Sequence, residues 1–423
     1  MKEWRNWSGS VVARPAYHVE VTSEGHLASV ITQAQGPVRM VGTGHSFSPI
    51  AAVDGGTLAT LNGFDHVTDA GNGQARIGAG GRLGDISEKL HGMGYAFSNM
   101  GDINDQALGG ALATATHGTG QRFGCYSAML SELTMIDGRG GKRVLSRSAD
   151  AELFQAMAVG IGTGGVVTEA VMQMAAPYRL DRKRYSIALN DMLDDFPTRM
   201  SACRNVEFYY VTGSGQALVF ESEESDAPLV ARPEDRDQEG LAQLRMAAKI
   251  LRWSPRLRRF ALGAALKSHT KEHFIEDWHK AFPTDRDGIR FNETEYHLPF
   301  EYGPQALREV VELVERAFPD VYFPMEIRTV GADDLYLSPF YQRDTVSIAV
   351  HHDAMQPFAS LLKAVESVFA KYQGRPHWGK MHSLTAGELR LLYPKWDVAI
   401  QARRELDPEN RLVTPYIARL LGL

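Results

Sequence analysis

Apolar positions fall into two textures along the chain. Ser23 reads as an N-cap, and Leu27, Val30, Ile31 and Ala34 follow at helical spacing until Gly36-Pro37 ends the run. Val38 to Val41, Thr57 to Leu61 and Gln74 to Ala79 read as short strands. Leu83, Ile86 and Leu90 mark one side of another helix, so this stretch predicts strand–helix alternation of the α/β kind. Leu133 to Ile136 and Lys142 to Leu145 predict a hairpin across Asp137-Gly138-Arg139-Gly140, and Val166 to Met174 predicts a further strand.

The texture changes at Pro177-Tyr178, which places a boundary between residues 1–177 and 178–423. Beyond it, Val206 to Tyr210 and Gln216 to Glu221 predict paired strands, and Glu221 to Asp226 a solvated acidic loop. Leu241 to Leu266 is helical in pattern, broken at Ser254-Pro255. Tyr296 to Pro299, Met325 to Val330 and Thr345 to His352 predict strands. Helices are marked by Leu307, Val310, Val311 and Val314 and by Phe358, Leu361, Leu362 and Val365. Thr385-x-x-Glu388 forms a capping box for a helix ending near Tyr393. Long antiparallel strands with helices on one side predict an α+β second domain.

Composition narrows the function classes. A net charge of −6 on 423 residues argues against a nucleic-acid partner. Two cysteines, Cys125 and Cys203, suggest a reducing compartment rather than a disulfide framework. Without an apolar signal core or a long apolar run, a cytoplasmic setting is expected. Arg252, Arg256, Arg258 and Arg259 make the broken helical stretch basic. Such a helix can lie on a membrane, though a solvated face is its usual meaning.

Three glycine-rich stretches carry the first candidate chemistry: Gly42 to Ser48, Asn99 to Gly120, and Gly160 to Gly165. In the first, the amides and the hydroxyls of Thr43, Ser46 and Ser48 can cradle a phosphate. Its histidine, His45, has no turn preference to explain it. The second is too rich in small side chains to fill a core, and suits backbone lying flat against a large ligand. Together the three imply one extended ligand, such as a dinucleotide.

Three polar constellations follow. Glu326 and Arg328 share one face of a strand, where they can hold a polyol; a surface ion pair is the commoner meaning. In the strand from Thr345, Val346, Ile348 and Val350 face the core, and Thr345, Ser347, Ala349 and His351 form a small polar face. His352 falls on the core side. If Arg375 to His382 is extended, Trp378, Lys380 and His382 line one face, where lysine can hold negative charge on a cofactor and histidine accept a proton.

Gly42 to Ser48, Asp102 to Gly120, Glu326-Ile327-Arg328 and His377-Trp378-Gly379-Lys380, in order, resemble the vanillyl-alcohol-oxidase-type flavoproteins, in particular their aldonolactone/alditol oxidoreductase branch. The resemblance implies an α+β, two-domain flavoprotein. A PCMH-type FAD domain is followed by a cap domain with a large antiparallel sheet, and the final ~30 residues pack back on the FAD domain. It implies that FAD is held by Gly42, Thr43, Gly44, His45, Ser46, Gly101, Asp102, Asp105, Gly109, Gly110, Thr114, Thr116, His117, Gly118, Gly162, Gly165 and Val167, with no metal. Gly42 to Ser46 would hold the pyrophosphate, and His45 would be bonded covalently to the flavin 8α-methyl group. Doubly linked relatives add a cysteine before the second glycine stretch; Cys125 lies well downstream, so one bond is expected.

The implied reaction is hydride transfer from a sugar lactone or polyol carbon to flavin N5. Glu326, Arg328, Lys380, His351 and His382 are the implied catalytic set, binding hydroxyls, removing a proton and stabilising the reduced ring. Alditol-oxidising members carry serine at Asp102 and threonine at His351, which leans this chain toward a lactone or another sugar-derived alcohol. Members that react poorly with oxygen carry alanine at Gly101, so O2 is the expected acceptor and hydrogen peroxide the product. A dehydrogenase using a cytochrome, quinone or other carrier is the alternative within the same class. A non-catalytic flavin-binding redox protein is the alternative outside it, and an inert binder need not keep Glu326, Arg328 and Lys380 together.

Overall fold

The computed structural model describes residues 3–234, 237–251, 253–267, 271–284 and 288–423. Arg252, singled out in the basic stretch, lies outside them. The first domain opens with Tyr17–Glu20, Thr57–Thr60 and Val38–Met40 side by side as a parallel sheet in that order. The Glu24–Gln33 helix begins where Ser23 accepts from the His26 amide at 3.1 Å.

The α/β alternation stops there. The rest of the domain is a five-stranded antiparallel sheet, ordered Val67–Gly71, Gln74–Gly78, Gly165–Gln173, Leu130–Asp137, Lys142–Ser146. Its first hairpin turns on Asn72 and Gly73, at φ 54° and 70°, a two-residue loop of the primed kind that matches strand twist. The second hairpin turns around Asp137. This buried carboxylate accepts from the amides of Arg139 and Gly141 and from Arg143 Nε, all within 2.9 Å.

The second glycine-rich stretch contributes core after all. Met100, Leu108, Ala111, Leu112 and Ala115 belong to the main apolar cluster, and Leu108–Ala113 is helical. Small residues there let a short helix sit close to its neighbours while the same backbone lines a cleft.

The second domain is an eight-stranded antiparallel sheet. Its order is Glu272–Asp277, Arg179–Ala188, Gln216–Glu224, Asn205–Tyr210, Met325–Val330, Thr345–Asp353, Phe291–Pro299, Arg375–Pro376. The acidic run from Glu221 is not a loop. It stays on the ladder to Glu224, where Glu221 pairs with Lys183 across the strands. Helices Gly303–Ala317 and Ala359–Lys371 cover one face, burying Val206, Phe208, Tyr210, Ile327, Val346, Ile348 and Val350 with Leu307, Val310, Leu361 and Val365. By the two-residue period, the intervening side chains must point to the opposite face.

Near the chain's end the Trp396–Leu406 helix packs on the first domain's Ala151–Met157 helix. Beyond it, Leu412 enters the core beside the parallel sheet. Among the described residues no helix is long and apolar enough to cross a membrane.

One buried cation fastens these pieces. Arg39 donates to the carbonyls of Ile50 (3.0 Å), Gly162 (2.7 Å), Ile161 (3.0 Å) and Leu412 (3.0 Å). Burial pulls its pKa down to about 10, so it is still charged at neutral pH. Leaving a buried acceptor unmet costs about 1–3 kcal/mol. Arg39→Met should therefore lose at least about 3 kcal/mol in urea unfolding and loosen the third glycine loop; a loss under about 1 kcal/mol would contradict this clamp.

Candidate active site

All three glycine loops converge on one solvent-open cleft of about 1450 Å³. The first loop follows the Val38–Met40 strand, the second the Leu83–Gly92 helix, and the third precedes the Gly165–Gln173 strand. Gly42 to Ser46, Gly109, Gly110, Thr114, Thr116, Gly162, Gly165 and Val167 line it. Gly44 needs its glycine for backbone reasons, with φ +74°. At Gly110 a Cβ would project into open space, so the bare backbone is presented to whatever fills the cleft.

A second hollow of about 640 Å³ adjoins it. His45, Ser46, Gln106, Thr114 and Thr116 line both. The first loop is tied directly to the second domain at this junction. The Phe47 amide donates to the Gly379 carbonyl at 2.7 Å, and Ser48 Oγ donates to the Trp378 carbonyl at 2.9 Å. Ser48 thus secures the interdomain junction rather than a phosphate. His45 sits at the junction with Nδ1 2.8 Å from Thr43 Oγ1 and its ring stacked on Trp7, 5.9 Å between centroids.

The polar face of the large sheet makes the other wall. Glu326 and Arg328 are no surface pair: both are buried and line the hollow. Arg328 Nη2 lies 2.8 Å from Glu295 Oε1 and 3.4 Å from Glu326 Oε2. Glu295 Oε1 also meets His117 Nε2 at 3.1 Å and accepts from Ser347 Oγ. Lys380 Nζ lies 2.6 Å from Glu293 and 3.7 Å from Glu295. His351 Nε2 is 3.6 Å from Glu293, and its Nδ1 is 2.9 Å from the Pro324 carbonyl. Tyr209 donates to Glu326 Oε1 at 2.7 Å.

These environments separate the carboxylates. Burial alone would raise Glu293, but Lys380 and His351 bring it down to about 2. Burial opposes Glu295 likewise, yet Arg328 and His117 hold it well below the usual carboxylate range. Glu326 goes the other way. Burial raises it to about 7, with Asp102 and Glu207 adding to the rise and Arg328 only partly offsetting it. One carboxyl group thus changes charge near neutrality beside two that stay anionic, a pattern suited to proton transfer. Burial also lowers His377, to about 3, so it stays neutral.

Gly101, Asp102 and His117 line the second hollow with Glu326, Arg328, His351 and Lys380. Asp105, Gly118 and His382 line neither hollow. Asp105 ion-pairs with Arg82 on the surface. Gly118 is a packing glycine, since a Cβ there would meet the Met100 carbonyl oxygen at 2.1 Å. His382 does not share a face with Lys380: the strand ends at Pro376 and the chain turns, with the Lys380 amide bonded to the His377 carbonyl at 2.9 Å. His382 instead lies half-buried near the Trp378 ring with its ring nitrogens enclosed, which lowers its pKa to about 4.

Sequence reading missed the central carboxylates. Glu293, Glu295 and His297 alternate with Thr294, Tyr296 and Leu298 along Phe291–Pro299, the same period that exposed His351. Sequence alone predicts this strand only from Tyr296, because acidic residues in a buried strand look like loop. Arg39, Tyr209, Gln106 and His377 were missed too.

A model of the D-arabinono-1,4-lactone oxidase family matches residues 170–420, more than half of the chain. The chain belongs to this family. An FAD-binding domain model matches residues 15–146. The chain is 34% identical to L-gulono-1,4-lactone dehydrogenase of Mycobacterium tuberculosis over 99% of both chains. It is 27% identical to L-gulonolactone oxidase of Mus musculus, over 99% of this chain and 98% of that one. It is 25% identical to alditol oxidase of a Streptomyces species over 98% of both. A solvent-stable cholesterol oxidase structure matches the whole fold with a TM-score of 0.82 at 17% identity, covering 100% of this chain and 97% of that one.

This family member is therefore an FAD-dependent oxidoreductase of the aldonolactone/alditol oxidase type. The cleft fits such a cofactor in the three glycine loops that line it, its bare glycine backbone at Gly110, and apolar walls from Ile50, Leu112 and Met135.

Proposed function

We infer that this chain oxidises a hydroxyl-bearing carbon of an aldono-1,4-lactone or related sugar alcohol, with O2 as acceptor. The single observation that carries the reading is a carboxyl group near its neutral point, Glu326, inside a buried, polar hollow that opens onto the glycine-lined cleft. Bound FAD supplies the hydride acceptor, which is the cofactor's own chemistry. Ionised Glu326 takes the substrate hydroxyl proton as the carbon gives up its hydride, leaving a carbonyl product. Positioned base assistance of this kind contributes about 10²–10⁴ in rate.

Arg328 orients the substrate oxygens. Its guanidinium is fixed by Glu295, so little freedom is lost when it binds. Lys380, fixed by Glu293, keeps positive potential where negative charge accumulates during transfer. His351 and Asp102 narrow the hollow with bulkier groups than alditol-oxidising members carry, which favours a compact lactone ring.

The acceptor is read from Gly101. It lines the hollow, and a Cβ there would come 3.1 Å from the His117 carbonyl oxygen, crowding the approach. Glycine leaves that approach open to O2, which takes up both electrons and two protons to give hydrogen peroxide. The dehydrogenase reading is favoured by the 34% identical relative, itself named a dehydrogenase.

The discriminating measurement is anaerobic addition of an aldonolactone series to the yellow holoenzyme, followed by air. The expected outcome is bleaching by at least one lactone, then rapid recovery of colour with stoichiometric peroxide. Bleaching without recovery in air would assign a different acceptor, and no bleaching by any lactone or polyol would refute the enzyme reading.

His45, at the junction of cleft and hollow, is proposed as the covalent tether of the flavin. Acid-precipitated protein should stay yellow, and His45→Ala should release its colour into the supernatant. A white wild-type pellet would contradict the tether.

A further inference from the structure

Residues 240–267 hold seven basic and no acidic residues in a chain whose overall charge is −6. Within them each large apolar side chain on the surface directly follows a cation: Arg245-Met246, Lys249-Ile250, Arg256-Leu257 and Arg259-Phe260, with Trp253 after Arg252. In the structure these apolar side chains are left in solvent. Met246 is 63% exposed, Ile250 60%, Trp253 74%, and Phe260 76%. They lie on the Asp237–Ile250 and Pro255–Lys267 helices and in the link between them. Elsewhere on these helices the apolar residues are used: Leu241, Leu244 and Ala248 pack with Phe47, Phe291 and Phe323. The exposed apolar side chains take no part in that packing.

We propose that this face docks on an anionic membrane surface. Interleaved cations and apolar groups suit an interface in which side chains enter the acyl boundary and neighbouring ammonium or guanidinium groups meet phosphates. Trp253 has the amphipathic ring that such an interface favours. A second copy seated face to face would set cation against cation. Two of the basic side chains are used inward, where buried Arg258 donates to the Pro319 carbonyl and Arg259 Nη2 to the Glu315 carbonyl at 2.8 Å, anchoring the second helix to the sheet domain, while Lys249, Arg256 and Lys267 stay exposed. Phe291 lines the substrate hollow, so the first helix lies between the proposed bilayer contact and the pocket wall. Docking would hold the pocket at the lipid surface.

The test uses the full-length holoenzyme and vesicles of equal parts phosphatidylglycerol and phosphatidylcholine, with pure phosphatidylcholine vesicles as control. Wild type should float with the anionic vesicles at low salt and be released by high salt. The Trp253→Ser/Phe260→Ser and Lys249→Glu/Arg256→Glu double variants should each bind at least about tenfold more weakly. Both should keep wild-type turnover in vesicle-free buffer, which shows that they fold. Failure of wild type to float would overturn the proposal, as would equal flotation of the variants. A wild-type dimer that ignores vesicles and becomes monomeric in the variants would assign the face to a second copy instead.

Discussion

Glu295 is the interaction on which the site depends. It stands on the central face of an eight-stranded sheet, fully enclosed, where a lone carboxylate would cost several kcal/mol. Arg328, His117 and Ser347 converge on one of its oxygens, and Lys380 lies 3.7 Å from the other. These contacts make the buried charge tolerable, and they also fix Arg328, while Lys380 is held chiefly by the neighbouring Glu293. Removing Glu295 would leave Arg328 with Glu326 and Asp102 as its neighbouring anions. The high pKa of Glu326 is partly a consequence, because the guanidinium it faces is shared with a stronger partner.

Such a face is useful only if it meets the cleft. Thr119 and Gly120 of the first domain make the seam. Thr119 Oγ1 donates to the Val206 carbonyl, the Gly120 amide donates to the Thr329 carbonyl at 2.8 Å, and Asn205 Nδ2 reaches Asn99 Oδ1 at 3.0 Å. Arg204 adds Nη2 to the Ser98 carbonyl at 2.6 Å while its guanidinium lies over the Phe123 and Tyr178 rings. Two strands of the catalytic sheet are thus bonded to the segment that carries His117. The second seam, Phe47 to Gly379, binds the first glycine loop to Lys380. Cleft and hollow are held in register by backbone bonds, which do not depend on bound ligand.

Much of this was legible in the chain. Alternation in Thr345 to His352 separated the core side chains from a polar face, of which His351 lines the hollow and Ser347 meets Glu295, and the same period set Glu326 and Arg328 together, where a surface ion pair was the commoner expectation. Periodicity failed where both faces are buried. Phe291–Pro299 carries Glu293, Glu295 and His297 on one side, and nothing in a lone sequence says that Lys380 meets Glu293 or that Arg328 and His117 meet Glu295. The acidic run to Glu224 misled for the matching reason, since a charge ladder across strands looks like solvent when only one strand is in view. The Arg375 to His382 run misled through its turn: the strand ends at Pro376 and the Lys380 amide closes back on the His377 carbonyl. Exposure of Trp253 and Phe260 was likewise invisible, because a helical period marks an apolar side without saying whether anything covers it.

The most direct test of the account is the pH dependence of kcat/KM for a lactone substrate, which reports groups of the free enzyme. Burial raises Glu326 to about 7, so the ionised base fraction grows as pH rises through that value. The account predicts a limb rising about tenfold per pH unit below neutrality and levelling above it, absent in Glu326→Gln, whose residual activity is at least about 10²-fold lower. A wild-type profile flat from mildly acidic to mildly alkaline pH, or the same limb persisting in Glu326→Gln, would contradict it.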